Sequence, residues 1–217
     1  MSLAIVYTRA ALGIEAPLIT VEVHLSNGLP GLTMVGLPET TVKEARDRVR
    51  SALINSGYAF PAKKITINLA PADLPKEGGR YDLPIALALL VASEQLNTTR
   101  LNQYEFVGEL ALTGGLRGVP GAIPSAMEAI KAGRRIVVSS DNAAEVGLIG
   151  GSDCLVADHL QEVCAFLAGQ TSLSPPLAEA PARDERYEDL LDVIGQQQGK
   201  RALEIVAAGG HKDRKSV

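Results

Sequence analysis

The stretch Lys64-Ile-Thr-Ile-Asn-Leu-Ala-Pro-Ala-Asp-Leu-Pro-Lys-Glu-Gly-Gly-Arg-Tyr-Asp-Leu-Pro84, with the apolar run that continues to Gln95, decides the fold class. Lys64–Leu69 alternates with period two, as a half-buried strand does. Residues 70–80 carry Pro71, Pro75 and the Gly78-Gly79 pair and read as a loop. Asp82 stands at an N-cap position, Pro84 is tolerated in a first helical turn, and Leu83–Gln95 reads as an apolar helix.

Toward the N-terminus lie three β-rich segments, Leu3–Thr8, Leu18–Leu25 and Leu32–Val35. Alternation in the second puts Ile19, Val21, Val23 and Leu25 on one face. Asn27-Gly28 signals a turn that Pro30-Gly31 lengthens, so an antiparallel opening sheet is expected. Pro38 fits a first helical turn, and Val42, Ala45, Val49, Ala52 and Leu53 keep helical spacing until Asn55-Ser56-Gly57 stops it. Toward the C-terminus the reading is a strand at 105–112, a turn at Thr113-Gly114-Gly115, a short strand at 116–119 and a helix over 123–132. A strand at 135–138, a short helix after Asp141, a strand at 154–157 and a helix at 160–167 follow. The sum is an α+β fold with a mixed sheet and packed helices. Residues 169–184 are Pro-, Ser- and Ala-rich without periodicity and read as a linker, and 196–208 as a helix closed by Gly209-Gly210.

The 217 residues are 46% hydrophobic with no Trp, which predicts an aliphatic core. A net charge of −4 excludes a wholly basic nucleic-acid coat and leaves room for a local basic face. Cys154 and Cys164 form no CxxC pair and read as structural thiols in a reducing cytoplasm. The first nine residues lack the charged segment of a signal peptide, and the longest apolar run, 83–92, is about half the length that spans a bilayer, so no membrane association is expected.

A phosphate loop needs glycines, a Lys and a hydroxyl at fixed spacing. Gly195-Gln-Gln-Gln-Gly199-Lys200-Arg201 has one residue too few between its glycines and Arg201 where the hydroxyl belongs, so no cofactor is expected in this chain. His24, His159 and His211 lie far apart with no HExxH, which argues against a metal site, and there is no GxSxG elbow. Gly78-Gly79 and Gly114-Gly115 read as tight turns.

The basic residues offer more. Lys43, Arg46 and Arg50 share a helical stripe with Glu39 and Asp47 interleaved, either a solvated mixed-charge surface or a phosphate-contacting face. Lys63, Lys64, Lys76, Arg80 and Arg117 fall at strand edges and loop tips. Arg80, after two glycines, is placed for a bidentate contact to a partner, or for a pairing with Asp82 or Glu77 that fixes the loop.

Several stretches together carry a resemblance: Glu22-Val-His-Leu-Ser-Asn-Gly-Leu-Pro-Gly-Leu32, Val35-Gly-Leu-Pro-Glu-Thr-Thr-Val-Lys-Glu-Ala-Arg-Asp-Arg-Val-Arg-Ser51, the Lys64–Pro84 segment and Val107-Gly-Glu-Leu-Ala-Leu-Thr-Gly-Gly115. They resemble the ComM/YifB family of magnesium-chelatase-like AAA+ ATPases. The resemblance covers residues 1–168 and implies a Lon-protease-domain-like fold of the ribosomal-protein-S5-domain-2 type. It implies a linker over 169–186 and the start of an AAA+ module over 187–211, ahead of its phosphate loop. Residues 212–217 depart from the family pattern and read as a non-native tail. In full-length relatives it implies ATP and Mg²⁺, self-association into a hexameric ring through that module, and work on single-stranded or branched DNA in branch migration during natural transformation.

In an ungapped match to Lon proteases the catalytic Ser position holds Arg80, and no Lys stands near 122–125 where its partner would fall. The resemblance therefore implies the fold without peptidase activity, and no catalytic residue is expected. The leading expectation is a non-catalytic accessory region of a DNA motor that contributes DNA guidance or ring assembly, with Lys43, Arg46, Arg50, Lys63, Lys64, Lys76, Arg80 and Arg117 as candidate DNA contacts. The alternatives are a structural oligomerisation or regulatory domain, a Ser-Lys peptidase, and a chelatase subunit of tetrapyrrole synthesis.

Overall fold

The computed structural model describes residues 2–39, 42, 44–149, 151–176 and 190–209. They fall into two compact units, Met1–Glu179 and Ala180–Val217. In the first, strands β1 (Ser2–Arg9), β2 (Leu18–Ser26), β3 (Gly31–Val35), β4 (Lys64–Ala70), β5 (Tyr104–Phe106), β8 (Arg135–Ser139) and β9 (Cys154–Ala157) form one sheet in the order β3-β4-β2-β1-β5-β8-β9. β6 (Glu109–Leu110) and β7 (Leu116–Arg117) make a separate two-stranded ribbon. β1, β2 and β4 pair antiparallel, whereas β3 joins β4, and β5, β8 and β9 extend from β1, in parallel. This is the mixed α+β sheet expected from the strand and helix order.

The alternation of β2 does what its spacing dictates. Ile19, Val21, Val23 and Leu25 are all buried, and Val21 and Val23 stand opposite Leu69 and Ile67 of β4. Helix α2 (Asp82–Ala92) lies across β1 and β2. It is apolar all round, and every residue except Val91 is buried, as a helix covered on all sides requires. Helix α1 (Ala45–Asn55) packs on α2 through Ala45, Val49, Ala52 and Leu53. At the other end of the sheet, Val137 of β8 joins this core, while Ile136 and Val138 face a second one with α3 (Ala122–Lys131) and Val146 of α4 (Ala143–Gly147). Both faces of β8 are thus covered, which explains its unbroken apolar run. Helix α5 (Leu160–Leu167) buries Leu160, Val163, Cys164, Phe166 and Leu167.

Four local expectations are corrected. β2 and β3 are not neighbours, because β4 inserts between them and pairs with both; the lengthened Asn27–Pro30 turn leaves room for a strand supplied 33 residues after β3 begins, from Gly31 to Lys64. Pro38 is not in a helix but bridges to Lys76, with the Glu39 amide donating to the Lys76 carbonyl at 3.2 Å. The strand expected over 105–112 breaks at Gly108, whose amide and carbonyl bond Arg80 and Leu83 and so turn the chain onto the start of α2. Asp82 caps nothing; Tyr81 is the N-cap residue, and the Asp82 carboxylate is used elsewhere.

Residues 169–176, the first part of the expected linker, belong with the first unit: the Val156 amide donates to the Ser174 carbonyl at 3.0 Å, and Leu173 packs on the core. In the second unit, α6 (Gln197–Gly209) carries the Gly199-Lys200-Arg201 segment in its first turns.

Candidate nucleic-acid interface

Arg46 and Arg50 are four residues apart and exposed on α1, along the border of the face that buries Val49 and Leu53. The chain that leaves α1 returns to the sheet through Phe60 and Pro61 and brings Lys63 to the same place. The three cations line a groove of about 290 Å³ floored by Pro30, Leu32, Phe60 and Ile65. Among the described residues no acidic side chain lines it. The Arg50 guanidinium carbon sits 5.2 Å from the centroid of the half-buried Phe60 ring, a cation–π contact that holds the side chain over the floor. β3 forms the far wall and is tied to this turn by the Gly31 amide, which donates to the Lys63 carbonyl at 3.3 Å. Lys64 is exposed at the first position of β4, next to the groove and not in its lining.

The other cations go elsewhere. Lys43 lies outside the described residues. Arg117 is exposed and faces Glu109 across the β6–β7 ribbon at 3.5 Å. Lys76 is fully buried, its ammonium donates to the Pro71 carbonyl, and burial lowers its pKa. Arg80 is 4% exposed and donates to the carbonyls of Arg9, at 3.2 Å, and of Pro120. Neither Lys76 nor Arg80 is a loop tip, and the Arg80 pairing with Asp82 or Glu77 does not form. Asp82 instead accepts from Arg48 at 2.7 and 3.0 Å and from the Leu110 amide at 3.2 Å. Burial pushes the Asp82 carboxyl up to about 6 against the opposing pull of Arg48.

Arg80, Gly78, Gly79 and Glu109 line a second cleft of about 320 Å³. A Cβ on Gly79 would fall 2.2 Å from a Glu109 carboxylate oxygen, so a larger residue there would push the Glu109 side chain aside. The guanidinium at position 80 works inward, joining β1 to the residues that lead into α3. Cys154 and Cys164 are free and buried, and burial pushes the Cys164 thiol up to about 11, far from a reactive thiolate. Among the described residues no three His, Cys, Asp or Glu side chains converge on a metal position, and no helix is long and apolar enough to cross a membrane.

Phe60 escaped the sequence reading. Its signal was available, because the chain has only three Phe and this one precedes Lys63-Lys64 by three residues.

Residues 21–142, which carry the whole groove and nearly all of the cleft, match the family model described as subunit ChlI of Mg-chelatase, and the chain belongs to that family. Within it, the chain is 75% identical over 211 residues to the uncharacterized protein YifB of Salmonella typhimurium and 56% identical over 218 residues to the competence protein ComM of Haemophilus influenzae. It is 37% identical over 212 residues to an uncharacterized protein of Mycobacterium bovis. Each match covers 97% of this chain and 42% of the relative, so the chain spans about two fifths of the length of these relatives.

Proposed function

We propose that this chain is the N-terminal accessory region of an ATP-driven, ring-forming DNA motor of the cytoplasm, and that it guides DNA by holding phosphates against Arg46, Arg50 and Lys63. The observation that carries the reading is the groove itself: three cations from two separate segments converge with no carboxylate among them on a chain whose net charge is −4. The Haemophilus relative is named a competence protein, which fits DNA handling. ATP and Mg²⁺ belong, in this reading, to parts of the longer protein beyond this chain, which performs no catalytic step of its own. The Lon-protease-domain-like fold is part of the same proposal, and the inward engagement of Arg80 at the position of the Lon nucleophile supports a scaffold over a peptidase.

Fluorescence anisotropy with labelled single-stranded, duplex and four-way-junction DNA tests this. The chain binds at least one of them at low salt, Arg46→Ala/Arg50→Ala/Lys63→Ala abolishes binding, and Arg117→Ala leaves it unchanged. No binding by the parent chain, or equal binding by the triple variant, rejects the reading.

One feature favours assembly as a second role. β3 is an edge strand without a charged residue, flanked by exposed Leu29 and Leu37, whereas solitary proteins usually protect such an edge with charge. Sedimentation of the chain and of Val35→Lys separates the two roles: assembly through β3 predicts a concentration-dependent oligomer that the variant loses.

A further inference from the structure

We infer that Arg48 is a positioning residue for the groove: through its ion pair with Asp82 it sets where α1 presents Arg46 and Arg50, although neither member of the pair lines the groove. This rests on the phosphate-contacting reading above and adds to it a pair of residues that the phosphates do not touch.

Arg48 lies midway between the two groove arginines in sequence and across the helix from them in space. Two residues of α-helix turn the chain by about 200°, so Arg46 and Arg50 fall along one border of the buried face of α1 and Arg48 along the other. The half-buried Arg48 guanidinium donates to both oxygens of Asp82, at 2.7 and 3.0 Å. A guanidinium joined to a carboxylate by two bonds is fixed in direction as well as distance. The carboxylate is itself held: Asp82 is fully buried at the start of α2 and also accepts from the Leu110 amide of β6 at 3.2 Å. At the far end of α1 the Asn55 side chain donates to the Leu112 carbonyl at 2.7 Å, and the Gln161 side chain of α5 donates to the Ser56 carbonyl at 2.9 Å. Arg50 is supported in addition by the Phe60 ring. Arg46 stands in the first turn, where the Arg48 pair is the nearest of these ties, so release of the pair displaces Arg46 before Arg50.

Asp82→Asn separates positioning from long-range charge. It removes a negative charge, which by field alone leaves DNA binding as it was or strengthens it, whereas loss of positioning weakens it. The anisotropy titration above tests this with the labelled DNA that the parent binds most tightly, at about pH 8, where the Asp82 carboxyl, pushed up to about 6, is ionised. Asp82→Asn should weaken binding about three- to tenfold, and Arg48→Lys, which keeps the charge and loses the two-bonded contact, should weaken it in the same direction. In the Asp82→Asn background Arg46→Ala should cost less affinity than it costs the parent, while Arg50→Ala costs the same in both. Circular dichroism melts should show both variants folded at the assay temperature, and Arg48→Lys carries the test alone if Asp82→Asn does not fold. Binding by the folded variants as tight as the parent's or tighter, or an Arg46→Ala cost that Asp82→Asn does not change, overturns the inference and leaves the groove reading standing. A parent chain that binds none of the three DNAs overturns both.

Discussion

Arg9→Met should be among the most damaging single substitutions in the first unit. β1 and β5 meet at the seam between the antiparallel and parallel halves of the sheet, with Tyr7 opposite Glu105 as their register pair. The seam is held by the buried Glu105 carboxylate, which accepts from Arg9 at 2.6 and 2.7 Å and from Arg134 at 2.9 Å. The same Arg9 guanidinium donates to the Ala16 carbonyl at 3.0 Å and the Glu128 carbonyl at 3.1 Å. Removing one partner of a buried pair costs about 3–5 kcal/mol, because the other charge is left without compensation. Arg134 survives as a partner for Glu105, so the lower part of that range, about 3 kcal/mol, is expected. For a chain of this size each kcal/mol lowers Tm by about 2–4 °C, giving a fall of roughly 6–12 °C. Arg9→Met/Glu105→Leu removes the stranded charge as well and should regain at least about 1 kcal/mol over Arg9→Met. Urea denaturation of the three proteins reads these differences directly. A loss below about 1 kcal/mol for Arg9→Met, or a double variant no more stable than the single one, would refute the claim that Glu105 depends on Arg9 for its burial.

Three further outcomes follow from local geometry. Gly36→Ala should cost at least about 2 kcal/mol in denaturant, because Gly36 has φ +97° and a Cβ there would sit 2.1 Å from the Leu69 carbonyl oxygen; Gly13→Ala, at φ +61° with open space around it, should cost about 1 kcal/mol. Arg80→Met should lower stability by about 2–5 kcal/mol by leaving the Arg9 and Pro120 carbonyls without their donor, and leave DNA affinity of the folded protein unchanged. The third concerns Asp82, whose folded pKa of about 6 is raised above the ordinary 3.8. The folded state therefore takes up this proton first, and the group's contribution to stability is highest below pH 4 and declines as pH rises through 6. The full effect is on the order of 3 kcal/mol. In chemical denaturation across pH 4 to 7, Asp82→Asn should remove this part of the pH slope, and an unchanged slope would show that Asp82 is not its source.

Much of the fold could be read from local periodicity. The alternation of Ile19, Val21, Val23 and Leu25 shows which face of β2 is buried, and the limits of β9 and α5 follow from the apolar runs at 154–157 and 160–167. What escaped was non-local. Nothing near β3 announces that β4 will part it from β2, since that pairing is settled between segments more than 30 residues apart. Lys76 and Arg80 looked accessible because a charged residue in a glycine- and proline-rich loop usually is. Their acceptors, the carbonyls of Pro71, Arg9 and Pro120, come from as far as 71 residues away, and only the folded backbone brings them within reach. The groove was legible in part. Arg46 and Arg50 share a helical stripe by spacing alone, but the arrival of Lys63 and Phe60 beside them depends on the return from α1 to β4.

The most direct test of the DNA-contacting account is the slope of log K against log salt for single-stranded DNA binding to this chain between roughly 50 and 200 mM. Three phosphate contacts predict a slope near −2, at about −0.7 per phosphate on a single strand, with each of Arg46→Ala, Arg50→Ala and Lys63→Ala making it shallower by about 0.7. A slope near zero, or one that none of the three substitutions changes, would contradict the placement of DNA in this groove.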